Sequence, residues 1–62
     1  MVAGGMYSSL YNNLGLTHSS QGDTDEAKRC YELAIAHLSD IPPGPYANQC
    51  RSGIERNLAR LG

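Results

Sequence analysis

From Met6 to Ser19 the residues Tyr7, Leu10, Tyr11, Leu14 and His18 recur at steps of three and four, the period of one face of an α-helix. The spacing predicts a first helix over residues 6–19 with that set buried. Its opposite face holds Ser9, Asn12, Asn13, Leu16 and Ser20. Leu16 is the apolar member of that polar face, and a single exposed leucine is ordinary. Residues 1–5, with two glycines, read as a flexible lead-in.

Ser20-Gln21-Gly22-Asp23 closes this helix and turns the chain. Gly22 suits the left-handed conformation at a helix end. Asp23 or Thr24 can cap the next helix, and Asp23, Asp25 and Glu26 place carboxylates where the helix dipole favours them. Asp23 and Glu26 also fit a variant capping box. A second helix is predicted over residues 24–39, with two neighbouring apolar stripes: Ala27, Tyr31, Ala34, Ile35 and Leu38, then Cys30, Leu33 and His37. A helix packed on one partner needs a single stripe about 100° wide. This one is therefore expected to be covered by the first helix on one side and by the rest of the chain on the other. Lys28 with Glu32 and Asp25 with Arg29 are expected as solvated i,i+4 pairs.

The three prolines of residues 39–45 remove amide donors and favour extended geometry before them, so this stretch is a linker. Pro45 suits the first position of a third helix over residues 45–61. Its buried line is Tyr46 or Ala47, Cys50, Ile54, Leu58 and Leu61, with Gly53 weakening it and Arg51, Glu55, Arg56 and Arg60 around the rest.

Tyr11, Leu14-Gly15, His18, Gly22, Ala27, Tyr31 and Ala34-Ile35 also fall at fixed offsets. Their order resembles a tetratricopeptide repeat, whose pattern W-x2-L-G-x2-Y, A-x3-F and P extends over about 34 residues. Tyr11 stands for the Trp, His18 for the Tyr and Tyr31 for the Phe. The proline comes three residues after Ser39, where the family usually has it. A glycine inside a helix costs roughly 1 kcal/mol relative to alanine, so Gly15 implies a tight crossing; Ala27 is expected as its small partner, flanked by Leu14 and Tyr31.

The resemblance implies an all-α fold, a helical hairpin of tetratricopeptide type with a third helix in a right-handed, superhelix-like arrangement. It also implies a fragment or terminal part of a larger repeat array. Thirty-five residues on, Tyr46 echoes Tyr11, Asn48 echoes Asn13 and Cys50 echoes Gly15. The third helix thus reads as the first helix of a truncated second repeat, or as a capping helix that covers the last apolar face.

Composition narrows the chemistry. Sixty-two residues make one small domain, whose core rarely supplies more than about 3–5 kcal/mol unaided. Without Trp or Phe, the four tyrosines are expected to provide its large side chains. Five basic against six acidic residues argue against a dedicated nucleic-acid binder; Arg51, Arg56 and Arg60 share the third helix but Glu55 interrupts them. With two cysteines, no signal peptide and no membrane-spanning apolar run, a reducing, cytoplasmic setting is expected. His18, Cys30, His37 and Cys50 lack the close pairs that structural zinc prefers. Cys30 and His37 lie two turns apart, roughly 10 Å along one helix, too far to share a hydrogen bond. With no phosphate-binding loop, G-x-G-x-x-G or G-x-S-x-G, neither an enzyme nor a metal or other cofactor is expected.

A binding surface remains. In tetratricopeptide repeats the first helices line a concave groove that receives extended or helical peptides. Carried over, that groove would use Ser9, Asn12, Asn13, Leu16 and Ser20, with Asn48, Arg51 and Glu55 on the third helix. Asn13 stands where many members hydrogen-bond a peptide backbone, a task suited to an amide that both donates and accepts. Asn12 replaces the lysine, and Leu16 the second asparagine, of members that bind chaperone tails, so a C-terminal carboxylate is not the expected ligand. The expected function is a scaffold or adaptor that binds a protein or peptide partner; the alternative is a self-associating helical unit, possible as a homodimer. Neither nucleic-acid binding nor membrane insertion is expected.

Overall fold

The computed structural model describes residues 4–61, and these form three helices. Helix α1 spans Gly4–Ser20, α2 spans Thr24–Ala36, a 3₁₀ turn follows at His37–Asp40, and α3 spans Pro45–Leu61. Of the expected lead-in, residues 1–3 lie outside the described residues, whereas Gly4 and Gly5 are helical. A first turn needs no packed side chain, so the apolar pattern marks where packing starts rather than where the helix does.

The punctuation of the chain follows its local chemistry. Gly22 takes a positive φ of 81°, and the Asp23 amide donates to the His18 carbonyl at 2.9 Å, closing α1. The Asp23 carboxylate then accepts the Glu26 amide at 3.4 Å and caps α2. Helix α2 ends at Ala36 and tightens into the 3₁₀ turn, a common way to satisfy the last carbonyls. Ile41 is extended, at φ −99° and ψ 133°, as a residue before proline should be. Pro45 opens α3, and the Asn48 amide bonds the Gly44 carbonyl at 3.0 Å.

Helix α2 is the centre of the fold. Ala27, Tyr31, Ala34 and Leu38 are buried with Ile54 of α3, and Tyr11, Ile35, Ile41, Cys50, Leu58 and Leu61 pack around them. The two-sided packing expected of α2 is present, although Leu33 remains exposed. On α3 the buried line starts at Ala47, with Tyr46 in solvent. Only one of the four tyrosines, Tyr31, is fully enclosed.

The buried face of α1 differs from the expected one. Tyr7, Leu10 and Leu14 are exposed, while Ser8 and Gly15 are buried and Tyr11 and His18 half-buried. Small residues decide this, because α2 can approach α1 only where side chains are short, and the large residues are pushed to the flank. At Gly15 the atoms nearest to where a Cβ would lie belong to the ring of Tyr31, one of the residues expected to flank the crossing. The expected i,i+4 ion pairs do not form among the described residues. Arg29 instead meets Glu26 at 3.5 Å, one turn apart and largely in solvent, where such a pair contributes little.

Candidate functional site

Two polar contacts and one aromatic stack hold α1 in place. The Ser8 hydroxyl donates to the Ala34 carbonyl at 3.0 Å, inside the crossing of α1 and α2. Just beyond, at the C-terminal end of α2, the His37 ring stacks on both Tyr7 and Tyr11, with centroids 5.3 and 5.4 Å apart. His37 Nδ1 lies 3.4 Å from Asp40, so the 3₁₀ turn is tied to α1 through this ring. The third contact joins the first helix to the last: Asn57 Nδ2 donates to Asn12 Oδ1 at 3.0 Å.

That bond defines the candidate surface, since it places α3 beside the flank of α1 that carries the sequence-derived site. Ser9, Asn13 and Leu16 are exposed on α1, Leu16 at 44%, and Asn48 and Arg51 are exposed on α3. Asn12 is half-buried and gives its carbonyl oxygen to Asn57, so it helps build the surface as well as line it. The Asn13 side chain makes no hydrogen bond within the described residues, while its carbonyl accepts the Thr17 hydroxyl at 3.1 Å. Asn13 therefore presents a free amide, with a donor and an acceptor both available.

A separate open groove of about 350 Å³ lies between the start of α2 and the end of α3, lined by Thr24, Asp25, Lys28, Leu58 and Leu61. Its two walls come from opposite ends of their helices, which makes α2 and α3 antiparallel. Beside it, burial raises the pKa of the Tyr31 phenol, as does Cys30, while Arg60 lowers it. At Tyr46 the neighbouring Cys50 raises the phenol pKa. No three His, Cys, Asp or Glu side chains gather as a metal site among the described residues, and no described helix is long and apolar enough to cross a membrane.

Sequence reasoning passed over Ser8, Asn57 and the stacking of His37. Ser8 could have been found from its place seven residues before Gly15, two turns away on the same face of α1. Asn57 carries no such signal, because its partner depends on how α3 docks.

An antiparallel pair of helices with a glycine at the crossing, followed by a third helix on the second, is the architecture of a helical-repeat protein. The model of the tetratricopeptide repeat matches residues 8–40, and the chain belongs to that family. The matched span starts at the buried Ser8 and ends with the 3₁₀ turn, leaving α3 outside it. No curated protein and no solved structure matches the chain. Repeats of this family generally mediate protein–protein interactions.

Proposed function

We propose that this chain is an interaction module, acting by binding rather than catalysis, which receives a peptide segment of a partner protein along α1 beside α3. The observation that carries this reading is the Asn12–Asn57 bond, which sets the two helices side by side while Asn13 and Leu16 stay exposed. Asn13 would pair with the peptide backbone and Leu16 would supply an apolar contact. Ser9, Asn48 and Arg51 would form the rim. Helix α3 would serve as the polar cap of the hairpin, because its outward face carries Gln49, Arg51, Glu55 and Arg56.

The test compares the parent with an Asn13→Ala, Leu16→Ala double variant in pull-downs from cell extract, followed by titration of the recovered protein. Both substitutions are at the surface, so stability should stay within about 0.5 kcal/mol of the parent. Loss of one uncharged hydrogen bond is worth about 0.5–1.5 kcal/mol, a weakening of a few-fold to about tenfold. Equal affinity for parent and variant would remove the site from this face.

A further inference from the structure

The other flank of α1 carries a second surface. Met6, Leu10 and Leu14, spaced four residues apart, form a stripe beside Tyr7, whose ring stacks on His37, and this stripe stays exposed among the described residues: Met6 is 62% and Leu10 50% exposed. Leu33 of α2 is exposed as well. We propose that a second copy of this chain covers the stripe, the two protomers packing α1 against α1 about a two-fold axis near Leu10.

Charge favours this occupant. Helix α1 contains no Asp, Glu, Lys or Arg from Gly4 to Ser20, and every such residue of the chain lies between Asp23 and Arg60. Two copies can thus bring their stripes together without like-charge repulsion, whereas a charged partner finds no complementary charge there. Symmetry follows from the other end of the molecule. The outward face of α3 exposes Gln49, Arg51, Glu55, Arg56 and Arg60, and Tyr46 is its single exposed large apolar side chain among the described residues. A head-to-tail stack of α1 on the next copy's α3 would set an apolar stripe against this polar face. Pairing α1 with α1 matches the stripe to itself, and an isologous contact of this kind closes as a dimer. The stripe holds far fewer side chains than the roughly 20–30 residues a side of a stable interface, so the dimer is weak and forms at high protein concentration.

The inference does not depend on the apolar contact of the peptide surface, since Leu16 lies roughly 120° around α1 from Leu10 and Leu16→Ala should leave the dimer intact. Sedimentation equilibrium over a concentration series should show a reversible monomer–dimer equilibrium in the parent. Leu10→Glu and Leu10→Lys, each alone, should remain monomeric at the highest concentration, and their equimolar mixture should dimerise again because opposite charges then meet across the axis. Dilution of the labelled parent should shift amide resonances within α1, a readout that needs no variant. A parent that stays monomeric throughout would overturn the proposal and give the stripe to a different segment. A mixture without rescue, or dilution shifts centred on α3, would overturn the two-fold arrangement.

Discussion

Gly15 and the ring of Tyr31 share a space that no other residue at position 15 would leave open. A Cβ on Gly15 would lie 2.5 Å from Cε1 and 2.6 Å from Cδ1 of that ring. Tyr31 is 1% exposed, so its ring is enclosed by the rest of the core. Gly15→Ala is therefore expected to destabilise the domain by roughly 1–3 kcal/mol through overpacking, even though alanine is the better helix former. Thermal melts followed by circular dichroism would read this, and a variant that melts at or above the parent temperature would rule the contact out. A second change, Tyr31→Leu, should recover part of the loss.

Ser8 gives a milder test of the same crossing. Its hydroxyl bond to the Ala34 carbonyl is buried, so Ser8→Ala should cost about 0.5–1.5 kcal/mol in urea denaturation. Ser8→Leu should cost more, because it also forces the helices apart. If Ser8→Ala were neutral and Ser8→Leu severe, small size rather than the hydrogen bond would be what the crossing requires.

Gly53 should behave in the opposite way to Gly15. A Cβ there meets nothing within 4 Å, and the residue lies inside α3. Gly53→Ala should raise stability by about 0.5–1 kcal/mol, the usual cost of glycine within a helix. A fall in the urea midpoint would show that α3 packs more closely at this point.

Burial sets a pH dependence at Tyr31. Its folded-state pKa is raised, so the native state holds the phenolic proton to higher pH than the unfolded chain does. The associated stability is fully present below the unfolded value, near about pH 10, and is lost as pH rises through the folded value. Urea midpoints of parent and Tyr31→Phe should run parallel at neutral pH and diverge on the alkaline side, where the parent falls more steeply. Parallel curves throughout would mean that this phenol titrates alike in both states.

The turn between α1 and α2 and the start of α3 were legible because their signals are local: the glycine and aspartate at 22 and 23 and the prolines at 42, 43 and 45 act on their own neighbours. The start of α1 at Gly4 rather than residue 6 and the end of α2 at Ala36 rather than residue 39 carry no such signal. The buried faces of α2 and α3 were legible for a related reason, since Tyr31, Leu38 and Ile54 are both apolar and inward. On α1 apolarity and burial part company. Its closest contacts are made by Ser8 and Gly15, so a rule that assigns large apolar residues to the core turns the helix toward the wrong flank. Asn13 and Leu16 are exposed, as the resemblance implies for a groove face, but the engagement of Asn12 was not legible. Its partner lies 45 residues away and is set by the docking of α3.

The Asn12–Asn57 bond also has a meaning in time. Helices α1 and α2 meet across a turn of three residues and can find each other through local contacts, which form quickly. Asn57 can reach Asn12 only after the hairpin exists and α3 has swung back over the proline linker, so this bond reports the last stage of folding. Asn57→Ala should accordingly speed unfolding while leaving the folding rate nearly unchanged, the kinetic pattern of an interaction absent from the transition state.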